Sequence, residues 1–596
     1  MSKHFLPKDA SKIVPYCLKG AVYENETLTL LEKEKVIFNN RYDPQKVTLI
    51  SGGGSGHEPG WFGFVGAGML TASAQGDVFA SPNYRNVMSA EKATHSEAGC
   101  IFLITNYTGD NLYFGMAAQE LVARHGEGKV RILRTTDDVA VGRSAGSLVG
   151  RRTLPGICLL IKVLGAASEL GYDIDQVYAL GESVNSAIAS VNAGLDHVHI
   201  PTHPRDSDYG KLGEDQLEIG LGIHNEPGVQ KLDHIPTNEA LVASLLALIL
   251  DPTDPDRGFF KHSPGDKVAV QINNLGGVSN LEIKALVYAI AETLREKYGI
   301  EPARVYVGNF ITSINAQIFT VTLFNVTEAA TNEFPEEKLF ELLDAPTEAT
   351  NWPKNFFTST DAIDVKSRII TDFQGYDDED ISATFSKDIK MDPGHLEEIV
   401  RTAALNVIRR EPEITDWDTK MGDGDCGETL KTGAECILRA LNEDKVAKEG
   451  SVLRVLAAIL KIVKDDMGGT LGALLFIFLR SFISRLEQEL QEGASDNVSS
   501  FAKALDYGLN TLFQYTKARE GHRTVMDVLI PFCRVFSQTQ DITKAVEAAE
   551  NAAEGTRRLR PKLGRATYVG LSKDQKDFPP DPGAYGVYEI LSSLSS

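Results

Sequence analysis

A chain of 596 residues exceeds what one hydrophobic core organises, so roughly two to four domains are expected. Its composition, 42% apolar and 24% charged, is that of a globular protein. The formal net charge of -22 repels a phosphate backbone over most of the surface, which argues against a nucleic-acid binder but not against a small phosphate ligand carried with magnesium.

The opening stretch, MSKHFLPKDASKIVPY, has no apolar core of a secretory signal. Over about the first 340 residues, short apolar runs alternate with helix-like stretches. Val47–Ile50, Ile101–Asn106, Lys129–Thr135 and Val268–Asn274 read as buried strands, and Leu112–Ala123 and Leu281–Lys297 as helices. The alternation predicts an α/β domain with a largely internal sheet.

SGGGSGHEPG, Ser51–Gly60, follows the first of these strands. A glycine-rich turn there lets backbone N–H groups approach a small polar ligand. It is no Walker loop, and it misses GxGxxG because His57 stands where the last glycine should be. A ligand site and a plain tight turn both remain open, although a turn needs neither His57 nor Glu58. NYTGDN, Asn106–Asn111, places Asp110 just past a strand, where α/β proteins bind ligands and where Asx turns and helix caps also occur. His224 centres GLGIHNEPG, Gly220–Gly228, either as a catalyst or as a packed residue.

From Glu336 to Asp392 the pattern weakens, punctuated by Pro346 and Pro353 and by the acidic run Asp377–Asp380. This segment reads as closing the first domain and then linking it to the next. After Pro393 the spacing is helical: Leu396–Arg409, Thr429–Asn442, Val452–Lys464, Leu471–Gln491, Val498–Thr516, Met526–Ser537 and Ile542–Gly555. An all-α domain of about 200 residues follows. The most apolar run, Leu471–Leu479, is too short to span a bilayer and reads as a buried helix.

DTKMGDGDCGET sets Asp418, Asp423 and Asp425 within eight residues. Such carboxylates repel unless water, cations or hydrogen bonds compensate, and hard oxygen ligands suit Mg²⁺ shared with substrate phosphates. A calcium loop of the EF-hand kind fails, since Glu428 and Ala434 stand where Gly and Glu are required. Thr429 could start a helix whose N-terminus faces phosphate, and a solvated acidic loop with a helix cap remains the alternative. GGTLG, Gly468–Gly472, is a glycine turn opening a helix, GRATYVG supplies Arg565, and DPGA, Asp581–Ala584, is a turn by composition. The six cysteines form no CxxC pair, which fits a reducing compartment and makes the cytosol the default.

Together these segments resemble the single-chain ATP-dependent dihydroxyacetone kinases (triokinase or glycerone kinase family). ISGGGSGHEP, NYTGD, DDVAVGR, VGRR, GIHNEPGV and NNLGGVSN resemble the substrate half; GDGDCGET, MGGT, GRATYVG and DPGA resemble the nucleotide half. The resemblance implies an α/β dihydroxyacetone-binding domain over 8–345, a linker over 346–391 and an all-α, helical-barrel ATP-binding domain over 392–596. It implies that His224 bonds covalently to the substrate carbonyl as a hemiaminal. Gly53, Gly54, Ser55, Gly56, Thr105 and Asp110 fall at substrate-binding positions, and His57 and Asp110 at those assisting proton transfer. Asp418, Asp423 and Asp425 match ligands of two Mg²⁺ ions. Cys426, Gly427, Glu428, Thr429, Thr470, Leu471, Arg565, Asp581, Pro582 and Gly583 fall at ATP contacts. A homodimer acting on a small ketose or triose is implied, with no nucleic acid or membrane as partner. The chain departs from the family pattern at four places: Thr105 replaces a common Lys, Gly60–Trp61–Phe62 a small-His-Ala run, Ile161 a His, and Leu471 a Ser. Cleavage of FAD to a cyclic flavin phosphate, and a non-enzymatic ketose sensor, are the alternative functions.

Overall fold

The computed structural model describes residues 10–146, 148–198, 200, 211–354, 356–357, 359–373, 385–494, 496–563 and 578–595. The chain forms two compact units, Met1–Ile370 and Thr371–Ser596.

Among its described residues the first unit holds two six-stranded sheets. One contains β1 (Leu28–Leu31), β2 (Val36–Asn39), β3 (Thr48–Ser55), β4 (Ala72–Val78), β5 (Cys100–Thr105) and β6 (Val130–Thr135), in the order β1-β2-β4-β3-β5-β6. Its centre, β4-β3-β5-β6, is parallel, while β1 and β2 pair antiparallel at one edge. The other contains β7 (Ile188–Gly194), β8 (Leu217–Ile219), β9 (Gln230–Leu232), β10 (Val268–Asn274), β11 (Arg304–Gly308) and β12 (Ile318–Asn325), in the order β11-β10-β12-β7-β8-β9. Every residue of β3, β5, β7, β10 and β12 is buried, as continuous apolar runs covered on both faces require.

The helix Ile157–Glu169 is apolar nearly all round and buries every residue but its last, so it lies inside the unit rather than on it. One core runs from Leu49, Ile101 and Leu103 of the first sheet through Ile157, Leu160 and Leu164 to Ala269 and Phe324 of the second. Each fully buried Leu or Ile contributes about 1.5–3 kcal/mol. Lys162 crosses this apolar region and donates from Nζ to the Leu342 carbonyl at 2.8 Å. Burial lowers its ammonium to about 8. That bond anchors Glu336–Asp344, a helix within the span where the sequence pattern fades; its Leu339, Phe340, Leu342 and Leu343 are buried.

The second unit is helical. Among the described residues eight helices, Pro393–Met421, Cys426–Arg439, Val452–Asp466, Gly469–Gln491, Asn497–Tyr515, Met526–Thr539, Ile542–Gly555 and Pro582–Ser592, each pack against the next, and the last packs against the first. The ring is therefore a closed helical barrel. Gly469–Gln491, at 23 residues, is longer than the run Leu471–Leu479 and is long and apolar enough to cross a bilayer by length and composition. One of its faces, with Leu475, Phe478, Phe482, Ile483, Leu486 and Leu490, is buried in the barrel.

Candidate active site

In the α/β unit the glycine-rich segment is not a turn after a strand: Ser51–Ser55 continue β3, which slips register between Gly53 and Ser55. The glycines serve close packing. A Cβ at Gly53 would run into the Trp61 indole, and one at Gly54 would sit 2.9 Å from the Ala80 nitrogen. Only at Gly56, with φ of 101°, does the backbone leave the region open to other residues. Ser55 donates to the Gly76 carbonyl at 2.9 Å, and the Gly56 N–H donates to Glu58 Oε2 at 2.8 Å. Trp61 and Phe62 are core residues under this segment, and Ile161 is fully buried.

His224 arrives from the second sheet, in the loop after β8. Asp138 and Arg152 hold that loop at its start. Arg152 Nε donates to Asp138 Oδ2 at 2.8 Å, and its Nη2 donates to the Gly220 carbonyl at 2.7 Å. Burial pushes the Asp138 carboxyl up to about 6 despite the Arg152 charge. Asp137 accepts from the Leu154 and Gly156 N–H groups at 2.8 and 3.0 Å. The DDVAVGR and VGRR segments thus work as a clamp on the His224 loop. Asn225, left-handed with φ of 67°, clips it further through paired bonds to the Val198 backbone at 2.9 and 3.0 Å.

The two sheets bring His57 and His224 together with their Nε2 atoms 3.0 Å apart. His57 Nδ1 donates to the Thr312 carbonyl at 2.8 Å. Burial, reinforced by His224, lowers His57 to about 3, so its ring is neutral and its Nε2 carries a lone pair. The 3.0 Å contact therefore makes His224 Nε2 the donor. On its other side the His224 backbone N–H donates to Glu226 Oε2 at 2.8 Å, and Nδ1 lies 3.2 Å from Oε1. Burial alone raises the Glu226 carboxyl, but the His224 bonds and charge outweigh it and hold it at about 2. Phe79 stacks on His57 with centroids 5.0 Å apart, and Tyr107 meets His224 edge-on at 4.9 Å. Phe79, Asn225 and Ile314 are all non-glycine residues at positive φ around this pair. Such strain persists where surrounding structure over-determines the backbone.

Asp110 is not in a turn but in the first turn of the helix Thr108–His125, buried at 4% exposure and making no cap bond. Its Oδ2 accepts from the Thr105 hydroxyl, while Oδ1 has no partner among the described residues. Burial raises its carboxyl, opposed by the Thr105 hydrogen bond, by the Ser81 hydroxyl and by the His224 charge. Tyr107, at the start of this helix, meets the His224 ring, so the helix end that carries Asp110 borders the imidazole pair.

In the helical unit, Asp418 lies in the last turn of Pro393–Met421 rather than in a loop, because that helix runs on through Pro412. Its Oδ2 accepts the Cys426 N–H at 3.0 Å. The following helix begins at Cys426, not Thr429, and Cys426, Gly427, Glu428 and Thr429 form its first turn. One carboxylate oxygen each from Asp418, Asp423 and Asp425 lies within 4.8 Å of the others. An all-oxygen set this tight, with Asp423 and Asp425 exposed, fits Mg²⁺ sharing its shell with phosphate. DPGA starts a helix: Asp581 caps Pro582–Ser592, accepting from the Ala584 N–H at 2.8 Å. Burial pushes the Asp581 carboxyl up to about 6, opposed by Arg523 and aided by Asp527 and Asp418. Thr470 and Leu471 open the helix Gly469–Gln491, and a Cβ on Gly583 would lie 3.9 Å from Leu471 Cδ1. Asp418, Cys426, Leu471, Asp581 and Gly583 thus gather at one place. Arg565 lies outside the described residues.

Sequence reasoning missed Glu226, Thr312, Tyr107 and Arg523. Arg523 is buried, and its Nε and Nη1 have no partner among the described residues. Glu226 had a local signal, two residues past His224; Thr312 and Arg523 had none.

The chain thus joins an α/β unit with a buried imidazole pair to a helical barrel whose carboxylates fit Mg²⁺. Residues 19–351 match the Dak1 domain and residues 420–596 the DAK2 domain. The dihydroxyacetone kinase of Komagataella pastoris is 40% identical over 97% of this chain and 96% of its own length. The triokinase/FMN cyclase of Rattus norvegicus is 32% identical over 97% and 96%. The crystal structure of the C. freundii dihydroxyacetone kinase with AMP-PNP and Mg²⁺ is 26% identical, superposes with a TM-score of 0.63 and covers 100% of this chain and 99% of its own. The chain belongs to the dihydroxyacetone kinase family.

Proposed function

We propose that this protein transfers the γ-phosphate of ATP to dihydroxyacetone, with the α/β unit over 8–345 capturing the ketone and the helical unit over 392–596 binding Mg²⁺–ATP, the residues 346–391 linking them. The observation that carries the reading is the meeting of His57 and His224 from two sheets, Nε2 to Nε2 at 3.0 Å, beside the helix start that carries Asp110.

His57 Nε2, a neutral hydrogen-bond acceptor, relays the Nε2 proton of His224. As His224 Nε2 adds to the carbonyl carbon, that proton passes by way of His57 to the carbonyl oxygen, giving a hemiaminal with no net change in charge. Glu226 holds the His224 ring for that attack. Covalent capture selects carbonyl compounds over glycerol by reaction, whereas shape alone separates such small ligands by only about 1–3 kcal/mol. Gly53–Gly56 and Thr105 line the substrate side. Asp110 Oδ1 takes the proton of the terminal hydroxyl as its oxygen attacks the γ-phosphorus and ADP leaves. A carboxyl raised by burial is the better base for this step. Thr105 offers a neutral hydroxyl where relatives commonly carry Lys, and it orients Asp110.

Asp418, Asp423 and Asp425 would hold the metal, as a pair of Mg²⁺ ions, and Cys426–Thr429, Thr470, Leu471 and Asp581–Gly583 the nucleotide. Mg²⁺ there would neutralise the charge developing on the transferred phosphate. Arg565 belongs to the nucleotide contacts by its motif. Glyceraldehyde is a second substrate of this reading, which places the enzyme in the cytosol as a homodimer; light scattering at working concentration checks the latter.

The test is His224→Ala. Turnover with dihydroxyacetone falls by on the order of 10⁴-fold or more, while Mg²⁺–ATP affinity is unchanged. Phosphorylation at the original rate would refute the covalent role. Intact-mass analysis after soaking with dihydroxyacetone, glyceraldehyde and glycerol should show adduct formation with the first two alone. FAD cleavage is the second reading, favoured by the match to the rat triokinase/FMN cyclase. Incubation with FAD and Mn²⁺ or Mg²⁺ decides it by the presence of the cyclic product. The sensor alternative fares worse, because a sensor has no use for the aspartate trio.

A further inference from the structure

A second group of ligating side chains lies at the other end of the first sheet. Glu91, His95 and His125 each offer one ligand atom, and the three atoms lie within 4.8 Å of one another. Glu91 is in the last turn of the helix Tyr84–Ala93, and His95 follows just past its end; His125 is the final residue of Thr108–His125. Glu91 Oε1 is 2.7 Å from His95 Nδ1, and the His95 and His125 rings face each other with centroids 5.0 Å apart at 39°. The three border a cavity of about 120 Å³ that also touches Glu97, Cys100 and Lys129. Cys100 begins β5, whereas Thr105 ends it next to Asp110. At the rise of a strand the cavity is therefore about 17 Å from that end of the sheet.

We propose that Glu91, His95 and His125 bind one divalent transition-metal ion of the zinc class. Two imidazole nitrogens and one carboxylate oxygen form a donor set that suits Zn²⁺ and its neighbours and is a poor match for Mg²⁺, which prefers oxygen throughout. Three protein ligands leave a fourth position for water, and Glu97 Oε1, 4.0 Å from His95 Nε2, faces the ring nitrogen that does not ligate. In a tetrahedron with bonds of about 2.0–2.1 Å, neighbouring ligand atoms stand about 3.3 Å apart. Opening the 2.7 Å Glu91–His95 pair by roughly half an ångström, and closing on His125, meets that spacing. The ion displaces the proton now shared by that pair. Two helices end here, and the partial negative charge of both C-termini favours a cation. Lys129 gives its ammonium to the Glu97 carbonyl. The ion ties the two helix ends together, and one of those helices carries Asp110 in its first turn, about 22 Å away along its axis.

The full chain, stripped with chelator and kept in excess Mg²⁺ to fill oxygen sites, is titrated with Zn²⁺ by calorimetry and with Co²⁺ by visible absorption. The wild type should take up one more equivalent of Zn²⁺ than His125→Ala or His95→Ala, and it alone should show the intense bands of four-coordinate Co²⁺. Each single variant should bind at that site more than about tenfold more weakly. His125 is exposed, so the metal-free His125→Ala protein should unfold at the wild-type temperature, which keeps loss of binding distinct from loss of fold. Equal Zn²⁺ stoichiometry in wild type and both variants, or Co²⁺ spectra that do not change with them, would overturn the proposal.

Discussion

At the scale of single residues, the site depends on where protons sit. His57 is neutral because it is buried against a second imidazole, with Nδ1 tied to the Thr312 carbonyl. With its value lowered to about 3, its ring should show no change in charge by NMR between about pH 5 and 8, the range where an ordinary histidine titrates. Glu226 fixes the orientation of His224 through two contacts, one to the backbone N–H and one to Nδ1. Glu226→Gln keeps the shape and removes the charge. Its kcat for dihydroxyacetone should fall by about 10²–10⁴-fold, as when other orienting carboxylates are neutralised, with the KM for ATP unchanged. Equal kcat in the variant would mean that His224 needs no such support.

At the scale of elements, loops are held by buried ions rather than by length or sequence. Asp138 is fully buried and Arg152 partly so, and the pair ends on the Gly220 carbonyl that opens the His224 loop. Arg152→Ala leaves a buried carboxylate without its partner, and should cost about 3–5 kcal/mol in urea unfolding and lower ketone capture too. The sign of the pH effect follows from the raised Asp138 value of about 6. Between about pH 4 and 6 the folded state holds a proton that the unfolded state has released, so this group's contribution falls as pH rises. The stability of wild type relative to Asp138→Asn should therefore grow as pH drops from about 6 to 4, by about 2–3 kcal/mol at most. In the barrel, Asp423→Ala should weaken Mg²⁺–ATP binding by more than about tenfold in calorimetry and leave ketone adduct formation intact. Retained metal-dependent ATP affinity would count against the aspartate trio.

At the scale of the molecule, two units with separate cores should report on two ligands. In scanning calorimetry, dihydroxyacetone should raise the midpoint of the α/β unit's transition and Mg²⁺–ATP that of the helical unit's. At a ligand concentration 100 times Kd each gain is about 2.7 kcal/mol, or a shift of roughly 3–6 °C for units of these sizes. A shift of both transitions by either ligand alone would contradict the division of labour.

Much of this was legible along the chain, because local spacing carries it. Runs such as Ile101–Asn106 and Val268–Asn274 read as buried strands, since sheets covered on both faces need apolar residues without alternation. The barrel's helices showed their period, and the motifs marked His57, Asp110, His224 and the aspartates. Glycine misled: Ser51–Ser55 looked like a turn but is strand, because glycine also serves where Ala74 or Trp61 must come close. Asp418 and DPGA looked like loop and turn for a similar reason, since proline is tolerated inside one helix and favoured at the start of another. Only the folded chain could decide which distant groups touch. His57 and His224 are 167 residues apart, and nothing local to either shows that two sheets will bring their Nε2 atoms to 3.0 Å, nor that burial will leave one ring neutral. Spacing along a chain determines which face of an element is apolar; the charge and partners of a buried group depend on what packs over it from elsewhere.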